Sequence, residues 1–85
     1  MHEEQSIDKT SVIPIYYQLF KLIEGQILRG ELKPGEALPT ETEIANRFEI
    51  SRMTVRRAIS ELISAGMVYS QQGKGTFVSS PKLNN

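Results

Sequence analysis

A mainly α domain of three helices followed by a small β-hairpin is what this 85-residue sequence predicts, and three observations carry that expectation. Apolar residues recur at helical spacing in three separate runs bounded by Pro, Gly, Ser or Thr. Only three or four residues separate the second run from the third, the spacing of a helix-turn-helix unit. Two short β-prone runs then flank a glycine-rich tip.

Residues 1–12 are polar, lack a helical period and precede Pro14, so a flexible amino-terminal arm is expected there, with the folded domain over 13–79. After Pro14, the residues Tyr16, Leu19, Ile23 and Ile27 recur every three or four positions, and Arg29-Gly30 supplies a basic last turn and a stop. ELKPGEALPTETE reads as a connector, because Pro34-Gly35 turns the chain and Pro39 blocks a continuous helix. Thr40 followed by Glu43 fits a capping box and opens a short second helix with Ile44, Ala45 and Phe48 on its apolar face. Ser51 caps a third helix that starts at Arg52, buries Val55, Ala58, Ile59 and Leu62, and ends at Gly66. MVYSQ and TFVSS form the hairpin around Gln72, Gly73, Lys74 and Gly75. Residues 80–85 read as the start of a linker.

Composition narrows the function classes. A chain of this length holds one compact core. It has no Cys and a single His, His2, so neither a disulfide framework nor a Cys- or His-built metal site is expected, and no cofactor is implied. Glu41 and Glu43 are explained by helix capping and the helix dipole, so no enzyme is expected. No apolar stretch approaches the roughly 18–20 residues that span a bilayer, and the start MHEEQSIDKT has acids where a signal peptide would be basic, which predicts a cytoplasmic protein without membrane contact. Ten Lys and Arg balance ten Asp and Glu, yet residues 1–51 carry five bases against nine acids and residues 52–85 carry five against one. An anionic partner for the second half is consistent with that asymmetry, as is an ordinary solvated surface.

Placement refines the choice. At about 100° per residue, Arg56, Arg57, Ser60, Met53 and Ser64 fall on the arc opposite the apolar face of the third helix, and Glu61 lies outside it. Such a face suits phosphates and base edges, and the first amides of a helix favour a phosphate. A capped amphipathic helix with a solvated basic face accounts for the same residues, but Lys74 at the tip of the following hairpin places a second basic element within reach of one duplex. The glycine-rich tip lacks GxxxxGK[ST] and joins two strands, so it is not a nucleotide loop.

The stretches IPIYYQLFKLIEGQILRGELKPGEALPTETEIA and RFEISRMTVRRAISELISAGMVYSQQGKGTFV resemble, in order, the amino-terminal domain of the GntR family of bacterial transcription regulators, and within it the HutC-type branch. The resemblance covers about Ile13 to Pro81 and implies a winged helix-turn-helix that binds double-stranded, pseudo-palindromic operator DNA. It implies a homodimeric full-length repressor whose carboxy-terminal domain, absent from these residues, binds a small-molecule effector. Carried over by motif, Ser51, Arg52, Met53, Thr54 and Arg56 are expected at the operator, with Gln72, Gly73 and Lys74 at the wing tip. Thr42 at the start of the second helix, Arg57 on the same face of the third and Gly75 beside the tip complete the expected DNA-binding set. Two positions depart from the pattern. Thr42 stands where the family often has a DNA-contacting Arg and cannot pair bidentately with guanine. Glu49 stands in the turn where Gly is usual. The alternative function is a winged helix used for protein interaction without specific DNA readout.

Overall fold

In the computed structural model, which describes residues 6–80, the first helical run becomes α1 (Ile15–Leu28) directly after Pro14. His2 and the rest of residues 1–5, and residues 81–85 of the expected linker, lie outside the described residues. The second helix α2 (Glu41–Phe48) opens with the full capping box: Thr40 Oγ1 accepts from the Glu43 amide at 3.1 Å, and Glu43 Oε1 accepts from the Thr40 amide at 2.8 Å. Such a cap contributes about 1 kcal/mol. Residues 49–51 form the tight turn into α3 (Arg52–Ser64), whose Ser51 cap accepts from the Thr54 amide at 3.0 Å.

All three helices end in one way. A residue in the left-handed region (Gly30, Glu49, Gly66) is followed by a residue whose N–H donates to the carbonyl five positions back: Glu31 to Gln26, Ile50 to Ala45 and Met67 to Leu62, at 2.8, 3.0 and 3.0 Å. This is a Schellman stop, which satisfies carbonyls that the helix leaves open. Two of the three use glycine, and α2 uses Glu49 at φ 56° and ψ 51°.

The strands β1 (Val68–Gln71) and β2 (Gly75–Val78) pair antiparallel, Val68 opposite Val78 and Gln71 opposite Gly75. Gly75 therefore opens β2, and the tip proper is the three residues 72–74, closed by the Lys74 amide on the Gln71 carbonyl at 2.9 Å. The connector expected between α1 and α2 is more ordered than a loop. Its residues 35–38 lie along β2, with Gly35 N–H on Val78 O, Val78 N–H on Glu36 O and Leu38 N–H on Thr76 O, so Ala37 bridges Phe77 as a rudimentary third strand.

α3 packs against α1, α2 and β1, and the core forms around it. Val55, Ala58 and Leu62 are wholly buried and Ile59 nearly so, as the helical period predicts, and they meet Leu19 and Ile23 of α1, Ile44 and Ala45 of α2, Leu38, Val68 and Val78. Burying each large aliphatic side chain stabilises the fold by roughly 1.5–3 kcal/mol, and this ring of contacts fixes the angle at which α3 presents its outer face. The arm expected to be flexible over 1–12 is fastened over its described part. Gln18 accepts from the Asp8 amide and donates to the Asp8 and Ile13 carbonyls, Ile7 packs on the core, and Lys9 Nζ donates to the Glu49 carbonyl at 2.6 Å. Polarity hid this, because the arm is held by hydrogen bonds to α1 and the turn. Among the described residues, no helix is long and apolar enough to cross a membrane.

Candidate nucleic-acid interface

The first turns of α3 carry most of the predicted site. Ser51 and Thr54 turn their hydroxyls toward each other at 2.9 Å, so both are engaged in capping the helix as well as lying at its start. Arg52, Met53, Arg56 and Arg57 are exposed, and Met53 retains 71% of its accessible surface. Exposure of a large apolar side chain beside three arginines suits a surface that meets base edges and methyl groups.

Two of those arginines are held by residues outside α3. Arg56 donates through Nε to Glu41 Oε2 at 3.2 Å and through Nη2 to Glu41 Oε1 at 3.0 Å, a two-pronged pair that ties α3 to the start of α2. The hydrogen bonds from Arg56 hold the Glu41 carboxyl below its usual range, with the charges of Arg56 and Arg52 acting in the same direction against partial burial. The same contact raises the Arg56 pKa. Arg57 lies over the ring of Tyr16, its Cζ 3.9 Å from the centroid, a cation–π contact that fixes a long side chain against α1.

These contacts divide the predicted residues into two groups. Thr42, Lys74 and Gly75 line a groove of about 500 Å³ together with Glu41, so the start of α2 and the wing face one space, and Arg56 joins it through its carboxylate partner. Met53, Thr54 and Arg57 line a second groove of about 390 Å³ with Ile15 and Tyr16. Gln72 and Gly73 are exposed at the tip, where Gly73 takes φ 78°, open to glycine at no steric cost. Arg52 is exposed at the helix start, close enough for its charge to act on Glu41. The arrangement offers fixed cationic forks, an exposed lysine and close backbone approach at a glycine, the donor set for phosphates and guanine edges.

Sequence reasoning missed Glu41 and Tyr16 as members of the site. Glu41 was accounted for by its position at a helix start and Tyr16 by its place in the α1 stripe. Both act through partners 15 and 41 positions away in sequence, on a helix whose crossing angle no local pattern encodes.

Residues 15–78 match the family model described as bacterial regulatory proteins, gntR family. Over 78 residues the chain is 53% identical to the HTH-type transcriptional repressor NagR of Bacillus subtilis (strain 168), which covers 92% of this chain and 32% of that protein. It is 51% identical over 74 residues to the arabinose metabolism transcriptional repressor of Geobacillus stearothermophilus, covering 87% of this chain and 20% of that protein. The chain thus spans about a third or less of the length of these curated relatives. Among solved structures, AraR(DBD) in complex with operator ORE1 superposes with a TM-score of 0.78 at 38% identity, covering 91% of this chain and 94% of that one.

Proposed function

The chain belongs to the gntR family of bacterial regulatory proteins, and from that membership we propose that its winged helix binds a specific double-stranded operator and serves in transcriptional repression. The observation that carries the reading is the likeness to a domain solved on its operator at 38% identity over nearly the whole chain. That likeness favours operator binding over a winged helix that serves only protein contacts. In this reading Arg52, Met53 and Arg56 face base edges from the first turns of α3, with Ser51 and Thr54 holding its start and Arg57 on its flank. Gln72, Gly73, Lys74 and Gly75 bring the wing to the neighbouring groove. Thr42, on the groove shared with Lys74, offers a hydroxyl to a phosphate. Residues 13–79 are the DNA-binding unit, and the protein works in the cytoplasm. In a longer regulator of its relatives' length and of the HutC type, homodimerisation on a pseudo-palindromic site and binding of a small-molecule effector fall to the remainder.

Selection of bound duplexes from a random pool, followed by titration of the winner and a scrambled duplex at two salt concentrations, tests this. Operator reading requires a sequence consensus, a half-site where the chain binds as a monomer and an inverted repeat where two copies bind together, and a winner bound far more tightly than the scrambled duplex, since specific sites typically exceed non-specific ones by about 10³-fold or more. Weak binding that salt abolishes on both duplexes alike would leave only phosphate attraction and refute the reading.

A further inference from the structure

The guanidinium of Arg56 has two edges that can present paired donors, Nε with Nη2 and Nη1 with Nη2. Glu41 occupies the first, at 3.2 and 3.0 Å. The second therefore points away from the carboxylate, and the pair is accessible: the Arg56 side chain is 60% exposed and that of Glu41 38%. A pair so exposed contributes little to stability, and Thr40 with Glu43 already caps α2. The cap of α2 does not need this contact, and the contact adds little to the fold.

We propose that Glu41 is a specificity-determining positioning residue: it braces Arg56 so that only the Nη1/Nη2 edge reaches a base, and it cancels the charge that would otherwise draw Arg56 to any phosphate. This inference rests on the operator-binding reading. Two physical consequences follow from one contact. A long arginine clamped on one edge has fewer conformations to lose on binding, which favours a single geometry at guanine O6 and N7. A neutralised arginine releases fewer counterions on non-specific duplex, which weakens the background against which the operator is recognised. Glu41 is ionised through the neutral range, as an ordinary glutamate is, and the hydrogen bonds from Arg56 favour that form further. Arg57 is treated differently by the fold: it rests on an aromatic ring, which steadies it and leaves its charge uncancelled.

The test titrates wild type, Glu41→Gln, Arg56→Ala and the double variant against the selected duplex and its scrambled control, with the salt dependence of each. Gln is close to Glu in shape but cannot accept from both nitrogens. The expected result is a loss of operator-to-scrambled discrimination of about tenfold in Glu41→Gln, within the range one bidentate guanine contact supplies. Scrambled-duplex binding should tighten and its salt slope steepen by up to about one unit. In the Arg56→Ala background, Glu41→Gln should have no further effect on discrimination. Equal losses on both duplexes, unchanged discrimination, or an effect on discrimination that persists without Arg56 would each overturn the inference while leaving operator binding standing. A wild-type chain with no sequence preference would remove the operator reading itself, and this inference with it.

Discussion

Replacing Glu49 with Gly should stabilise the domain by about 1 kcal/mol, and the three helix ends supply an internal comparison. Gly30 and Gly66 take the left-handed position of the first and third stops at φ 79° and 75°, and Glu49 takes the second at φ 56°. An L-residue with a Cβ pays roughly 1–2 kcal/mol for that conformation. Glycine avoids this cost but gives back roughly 0.5–1 kcal/mol through the greater freedom of its unfolded chain. Glu49 also sets a negative charge at the carboxy end of α2, unfavourable to the helix dipole by roughly 0.3–1 kcal/mol when exposed. The balance favours Gly. Urea or thermal unfolding reads it directly, since 1 kcal/mol shifts the midpoint of a domain of this size by about 4–8 °C. Glu49→Gln separates the causes, because it removes the charge and keeps the strain. If Glu49→Gly is no more stable than Glu49→Gln, the backbone argument is wrong. The Lys9 bond to the Glu49 carbonyl does not depend on the side chain at position 49 and should survive both changes.

Lys9→Met should lower stability by up to about 1 kcal/mol through loss of that exposed bond, and an unchanged urea midpoint would show that the fastened arm contributes nothing. Arg52→Ala and Arg56→Ala should relax base preference in a repeat of the duplex selection, whereas Lys74→Ala should weaken binding across all duplexes; sequence-blind losses in all three would sink the assignment of base readout to α3. The carboxyls of Glu41 and Asp8 both have folded pKa values below their ordinary 4.5 and 3.8, through hydrogen bonds from Arg56 and from Thr10 respectively. Their contribution is therefore present above those ordinary values and lost as pH falls through the depressed ones. Denaturant titrations from pH 7 into the acid should show that loss below about pH 4.5, small because the Glu41–Arg56 pair is exposed, and Glu41→Gln should remove the Glu41 share of it; a Gln variant with a steeper acid loss than wild type would contradict the sign.

Local chemistry made much of the fold legible, and the reason differs from element to element. Thr40, Glu43 and Ser51 cap helices through hydrogen bonds that span three residues, so their spacing in sequence is the interaction itself. Val55, Ala58, Ile59 and Leu62 share a face because 3.6 residues make a turn, and α3 has neighbours on that side to bury them. The pairing of residues 35–38 with β2 has no such signature. It joins Ala37 to Phe77 across 40 positions through backbone groups that every residue possesses, and only the folded path of the chain decides the match. The bonds of Gln18 to Asp8 and of Lys9 to the Glu49 carbonyl lack a signature for a related reason: their partners include backbone groups that only the folded path brings within reach.

The candidate interface divides along the same line, and the division bears on how recognition works. Which residues face outward on α3 follows from its period, so Met53, Arg56 and Arg57 can be named from spacing, whereas Arg52 is named by its place in the family motif. What each guanidinium is free to do could not, because that depends on a carboxylate at the start of α2 and a ring on α1. An arginine clamped on one edge has fewer conformations to lose on binding than a free one, and a neutralised one gains less from phosphate. On the proposed reading, the difference between attraction to DNA and recognition of a sequence lies as much in Glu41 as in the arginine it holds, while Tyr16 steadies Arg57 without cancelling its charge. Exchange of the two residues one at a time separates these roles: Glu41→Gln should keep affinity for duplex and lose discrimination, whereas Tyr16→Leu should leave discrimination unchanged.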